Sequence, residues 1–256
     1  RISIKDHQEY GIYFSSDGRE FFFTRAGTDS DPVLMHSKHT TYGWLSPESL
    51  PIIKQDQGMK YYFSPDSKKL LFTSMNRDTD ALKHKIYVSE RKASGWSQPK
   101  PFTNTNLGPS IISLGLSNSG NLYFIGDYNE SGKPDIYFSL CINGKYLPPR
   151  SIGESVNSNY SKNHIFIAPD ESYLLFDAQR DNTSGESDLY ISFHKPDGSW
   201  TKSENLGETI NTEFSEWMPY VTPDGKYLFF SRTVKRETDI YWVSAEVIKN
   251  RKNISL

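Results

Sequence analysis

The chain is poor in the features that would place it quickly. Its one cysteine, Cys141, excludes an intrachain disulfide framework and leaves the redox compartment open. Neither sign of charge dominates: 29 Lys and Arg face 31 Asp and Glu, a formal net charge of −2. Nothing therefore points to a polyanion such as nucleic acid. No apolar run reaches the about 20 residues of a membrane-spanning helix, and the apolar stretches are strand-sized. There is no Gly-x-Ser-x-Gly elbow, no phosphate-cradling glycine loop, and no His-x-x-x-His or Cys-x-x-Cys spacing. His36 and His39 are three apart in a strand-like segment, which points them to opposite faces. No metal and no cofactor are expected. The acidic stretches 76–80 and 181–188 lack the glycine and terminal glutamate of an EF-hand loop and read as solvated hairpin tips. The chain begins at Arg1 without a signal-peptide pattern. It is expected to be a trimmed or mature form, with any export signal out of view.

What is present is a repeat. Five segments share a strand, a tight turn and a second strand. The turns are Ser15-Ser16-Asp17-Gly18, Ser64-Pro65-Asp66-Ser67, Ser117-Asn118-Ser119-Gly120, Ala168-Pro169-Asp170-Glu171 and Thr222-Pro223-Asp224-Gly225, at steps of 49, 53, 51 and 54 residues. Proline presets φ, aspartate bonds nearby amides, and glycine accepts positive φ. Each turn leads into a short apolar strand. A third strand follows, as in Lys85-Ile86-Tyr87, Asp135-Ile136-Tyr137, Asp188-Leu189-Tyr190 and Asp239-Ile240-Tyr241, with a weaker first copy at Val33-Leu34-Met35. A fourth strand carries Trp44, Trp96, Tyr146 or Trp200. Aromatics make up 14% of the chain and suit pleated surfaces.

Four strands in a repeat of some fifty residues point to a propeller blade. The fold class expected is all-β: a five-bladed β-propeller with four-stranded antiparallel blades. A two-sheet sandwich is the alternative, but it does not require the same four-part unit five times. No segment sustains a 3.6-residue apolar period, so no helix is expected. Residues after Asp224 and those up to Asp17 together make one further period of 49, which implies five complete units. One domain spans 1–256, with blades near 1–54, 55–104, 105–154, 155–208 and 209–256. The last fourth strand is expected over 246–256, with Arg251 where other blades carry an aromatic, and residues 1–4 are expected to help close the ring.

The Ser-Pro-Asp-Gly turns, the run Tyr227 to Ser231, the Asp-Ile-Tyr strands and the Gly-x-Trp tails resemble the PD40 family. This is the WD40-like, TolB-type propeller repeat. The resemblance covers the whole chain, although the third repeat has Ser119 for aspartate and lacks the proline. It implies a bacterial periplasmic or cell-surface setting and a protein-binding platform. Fold alone does not name an activity.

In such a ring the first strand of each blade lines the channel and runs from one face, the top, down to the turn. Loops entering strand one and hairpins leaving strand two meet at that face, where a rigid scaffold concentrates binding residues. Counting back from the turn aspartate gives Glu9, Gly58, Ile111, Lys162 and Glu216 at eight, then Tyr10, Met59, Ile112, Asn163 and Trp217 at seven. At six stand Gly11, Lys60, Ser113, His164 and Met218. Just after strand two come Arg25, Arg77, Asp127, Asp177, Arg180 and Arg232. The ring is uneven, as a recognition surface would be.

The expected ligand-binding set is Glu9, Tyr10, Arg25, Lys60, Arg77, Lys162, His164, Arg180, Glu216, Trp217 and Arg232, with no catalytic residue assigned. Arginine grips carboxylates through paired donors. A protein segment or a small acidic molecule is the partner implied, with no nucleic acid, no membrane span and a monomeric chain. Each rim arginine also has a plain role, bonding carbonyls or acids between blades. The turn aspartates and the aromatics at 44, 96, 146 and 200 read as structure. The rival function is a glycan-active enzyme, a glycoside hydrolase or uronate lyase, working through carboxylates at the channel mouth such as Glu9 and Glu216.

Overall fold

The turn chemistry lays down the same local structure five times. In a computed structural model, which describes residues 4, 6–27, 32–50, 52, 60–75, 84–102, 107, 111–128, 133–158, 160–180 and 185–255, Asp17 Oδ1 accepts from the Ser15 hydroxyl at 2.6 Å and the Arg19 amide at 3.0 Å. Asp66 repeats this with Ser64 and Lys68, and Asp224 with Thr222 and Lys226. The fourth turn residue takes positive φ: Gly18, Ser67, Gly120, Glu171 and Gly225. The third turn lacks proline and aspartate yet closes the same way, with the Gly120 amide donating to the Ser117 carbonyl at 3.0 Å. Ser119 Oγ lies 2.7 Å from Ser117 Oγ in place of the carboxylate.

Each turn joins two antiparallel strands, and each pair grows outward into a blade. Blade one holds β1 (His7–Phe14), β2 (Glu20–Gly27), β3 (Val33–Thr40), β4 (Gly43–Trp44) and β5 (Glu48–Ser49). Blade two holds β6 (Lys60–Phe63), β7 (Lys69–Met75), β8 (His84–Lys92), β9 (Gly95–Trp96) and β10 (Lys100–Pro101). Blade three holds β11 (Ile111–Leu116), β12 (Leu122–Gly126), β13 (Asp135–Ser139), a small hairpin of β14 (Cys141–Ile142) and β15 (Lys145–Tyr146), and β16 (Arg150–Ser151). Blade four holds β17 (Lys162–Ile167), β18 (Tyr173–Ala178), β19 (Asp188–Phe193) and β20 (Glu204–Asn205). Blade five holds β21 (Ser215–Val221), β22 (Tyr227–Val234) and β23 (Glu237–Ser244), followed by α1 (Glu246–Ser255).

The innermost strands close a ring. β1 packs on β6, β6 on β11, β11 on β17, β17 on β21, and β21 on β1. At the closing seam the Phe14 amide donates to the Tyr220 hydroxyl and that hydroxyl donates to the Phe14 carbonyl, both at 3.1 Å. Apolar clusters fill the wedges between blades. Leu34, Phe22 and Leu70 lie between blades one and two, and Ile136, Ile165 and Phe176 between three and four. Trp96, Tyr146 and Trp200 each pack against the preceding blade, for example Trp200 at 6.2 Å from Tyr123.

The end of blade five departs from expectation. Residues 246–255 form a helix where a fourth strand is predicted. Ile248 of this helix and Ala245 just before it are buried with Leu206 and Val221 between blades four and five, and Arg251 donates to the Leu206 carbonyl at 2.7 Å. Arg251 thus reaches the junction that the other blades fill with an aromatic. One short apolar edge amid charged residues suffices for a helix that packs on a preformed wedge, and Glu246 in the first turn with Lys252 in the last suits the dipole. Residues 1–3, which are expected to aid closure, lie outside the described residues, and Ile4 is in no strand.

Candidate functional site

The inner hairpins are symmetric about their turns, so the residue eight before the aspartate faces the residue eight after it. Glu9 pairs with Arg25 and Glu216 with Arg232 in the strand register. Both carboxylates are fully buried. Arg25 Nε donates to Glu9 at 2.8 Å and Arg232 Nε to Glu216 at 2.7 Å. Glu216 also accepts from the Thr212 amide at 3.0 Å and the Thr212 hydroxyl at 2.6 Å. The Arg25 guanidinium lies over Phe23, and that of Arg232 over Phe230 and Tyr241.

Lys162 takes the same position in blade four. Its side chain is buried, and Nζ donates to Asp135 and to the carbonyls of Ser158 and Tyr160, which uses all three donors. Burial lowers its pKa and Asp135 partly restores it. Arg180 stacks 4.0 Å over the Tyr190 ring and donates to Ser203, toward the outer part of blade four. Arg77 and the acidic stretch 76–80 lie outside the described residues. The charged residues eight before the turn, with Arg25, Arg180 and Arg232, are thus spent within and between blades.

One step further in, side chains converge on the axis. Each of β1, β11, β17 and β21 carries a bulge there, which turns its residues into the channel. Gly11 and Met218 take positive φ at their bulges. Their freed amides find the preceding blade: Gly11 donates to Ser231 Oγ at 3.2 Å and Met218 to Asp177 Oδ1 at 3.3 Å. Buried Asp177 also holds His164 Nδ1 at 2.8 Å. A carboxylate only accepts, so Nδ1 carries the proton and Nε2 is left as an acceptor. Burial lowers the His164 pKa, outweighing Asp177, and keeps the imidazole neutral.

Trp217 bridges Tyr10 at 5.2 Å and His164 at 5.4 Å, and its indole N–H donates to Thr233 at 3.0 Å. Lys60 reaches across from blade two and donates to the Asn163 carbonyl at 3.2 Å. Burial brings its pKa down to about 8, with Asp177 opposing. Tyr10, Lys60, His164 and Trp217 are each partly exposed, and 12% of the His164 side chain is accessible. Below them Tyr13, Tyr62 and Tyr220 plug the channel, with Tyr13 at 5.2 Å from Tyr220. A cavity of about 80 Å³ remains between them and the turn prolines Pro65, Pro169 and Pro223.

Asp177, which holds His164 and the Met218 amide at the channel, is absent from the expected binding set. Its signal is a lone carboxylate in the apolar run Tyr173-Leu174-Leu175-Phe176.

The ring has relatives among solved structures. TolB from Acinetobacter baumannii superposes with a TM-score of 0.59 at 15% identity, over 93% of this chain and 52% of that protein. TolB from Agrobacterium tumefaciens, described as putative, gives 0.53 at 16% identity over 93% and 77%. The tricorn protease gives 0.52 at 15% over 93% and 21%. At these identities the likeness establishes a TolB-like propeller fold. The chain spans about half the length of the first of these proteins. No protein-family model matches the chain, and no curated protein matches it in sequence. Among the described residues no helix is long and apolar enough to cross a membrane, and no group of histidine, cysteine and acidic side chains is arranged to hold a metal.

Proposed function

We propose that the chain is a binding module of the bacterial envelope that recognises an acidic protein segment, or a small acidic ligand, at the top of its channel without chemical turnover. The observation that carries this reading is the meeting of Lys60, His164, Trp217 and Tyr10 at the axis, each partly exposed. An ammonium for a carboxylate, an imidazole nitrogen that accepts, and two aromatic faces make a recognition surface. The envelope setting rests on the PD40 resemblance together with the TolB-like fold. Because the tricorn protease has the same fold over a fifth of its length, fold alone does not separate a binding module from part of a hydrolase. A glycan-active site on Glu9 and Glu216 would need both carboxylates to reach substrate, and both are buried against arginine.

The test is a thermal-shift screen of the purified chain against acidic peptides and uronate oligosaccharides, since a ligand of the native state raises the melting temperature. Binding should be lost in Lys60→Met/Trp217→Ala while circular dichroism is unchanged. A ligand held equally well by that variant removes the site.

A further inference from the structure

One carboxylate oxygen serves two partners at the top of the channel. Asp177 Oδ1 accepts from His164 Nδ1 at 2.8 Å and from the Met218 amide at 3.3 Å, while Oδ2 accepts from the Ser187 hydroxyl at 3.4 Å. The Asp177 side chain is 1% exposed. It stands seven residues after its turn aspartate, where the sister blades carry Thr24, Thr73, Gly126 and Ser231. All five positions are buried. A neutral hydroxyl suffices for the backbone part of this work. Ser231 Oγ accepts from the Gly11 amide at 3.2 Å and so serves the bulge of β1 as Asp177 serves that of β21. A carboxylate costs far more than a hydroxyl to take out of water, so the bulge alone does not account for an acid at 177. What the acid adds is its hold on His164.

That hold fixes what His164 offers. Nδ1 gives its proton to the carboxylate and Nε2 keeps its lone pair. Nε2 has no hydrogen-bond partner among the described residues, yet it is not one of the buried unpartnered side-chain atoms, so it belongs to the accessible part of the ring. An acceptor presented to the channel calls for a donor on the ligand. Beside it, Lys60 Nζ bonds the carbonyl of Asn163, the residue before His164, and spends one of its three donors there. The Lys60 ammonium acts on His164 directly and opposes its protonation. Trp217, next in the chain to Met218, lies between Tyr10 and His164.

We propose that Asp177 is the positioning residue of the channel and that, through the His164 tautomer, it makes the site select an acid with a hydroxyl or N–H donor on the carbon next to its carboxylate: a 2-hydroxy acid or the carboxy-terminal residue of a peptide. The carboxylate goes to Lys60, the donor to Nε2 and an apolar substituent to Trp217. Tyr13, Tyr62 and Tyr220 plug the channel below, so a peptide enters by its end. This selectivity rests on the channel site proposed above and narrows its ligand from any acid to one class.

Calorimetric titration of the whole chain at pH 7 compares two pairs of probes, mandelate against phenylacetate and N-acetylphenylalanine against its N-methyl derivative. The second member of each pair lacks the donor. The donor-bearing member should bind about fivefold more tightly, and the pair with the larger preference tells a hydroxy acid from a peptide terminus. Asp177→Ser installs the residue that serves the bulge in blade five, so the fold should stand while the preference is lost. Asp177→Asn, whose amide oxygen can accept both bonds, should restore it. In the wild-type chain labelled with nitrogen-15 histidine, the His164 resonances should be those of a neutral ring protonated at Nδ1. A ring protonated at Nε2, or equal affinity within both pairs, overturns the proposal. Equal affinity that Lys60→Met abolishes removes the selectivity and leaves the channel site standing, whereas no saturation by any probe up to about 10 mM removes both. The tautomer and the probe comparison are read on the unaltered chain, so misfolding of a variant cannot imitate either result.

Discussion

Replacing Arg232 with methionine is the sharpest test of how this ring is held. The substitution keeps most of the side chain's volume and removes the guanidinium. Glu216 is then left fully buried with only the Thr212 amide and hydroxyl as donors, its 2.7 Å bond to Arg232 gone. Breaking a buried pair from one side costs about 3–5 kcal/mol, because an uncompensated charge stays in a poorly polarisable place. Arg232 is itself 17% exposed, so water can reach part of the vacated space and the cost should lie near about 3 kcal/mol. For a domain of this size that is a fall of about 6–12 °C in melting temperature. Urea denaturation at pH 7, followed by circular dichroism, measures it. Replacing both residues by leucine should cost less than the single change, because no charge is stranded. If Arg232→Met costs under about 1 kcal/mol, or the double variant is as unstable as the single one, Glu216 is not held by this pair. The carboxylate would then be free for other roles.

Two further outcomes are expected. With the Lys60 ammonium lowered to about 8, affinity for an acidic ligand at the channel should be full below that pH. It should fall as pH rises through it, by about tenfold between pH 7 and 9; a flat profile over that range, read by titration calorimetry, removes Lys60 from the site. Ile248→Ala should destabilise the fold by about 2 kcal/mol, because Ile248 is 5% exposed in the wedge between blades four and five. A neutral result in denaturant melts would mean that α1 is not docked there.

Much of the ring is legible along the chain because its determinants are local. The Ser15–Asp17 and Thr222–Asp224 bonds span two residues, and the positive φ of Gly18 and Gly225 belongs to a single residue. Such features repeat wherever the sequence repeats. Even Ser119 keeps the turn, since a hydroxyl can stand in for the carboxylate at the same spacing. The pairing of Glu9 with Arg25 and Glu216 with Arg232 follows from hairpin symmetry once a residue is counted both ways from its turn.

Which charges face the channel and which are buried between blades was decided by tertiary structure alone. Lys162 and Lys60 sit two places apart in the repeat, yet one spends three donors inside a loop and the other crosses the axis. The bulges of β1 and β21 likewise depend on an acceptor from the neighbouring blade, as Asp177 serves Met218. The same holds for residues 246–255, where a weakly apolar segment became a helix because a wedge beside Leu206 was there to receive it. Sequence dictates what each turn and strand can bond within a few residues. Burial is a property of what packs alongside, and in a ring the neighbour is always some fifty residues away or at the other end of the chain.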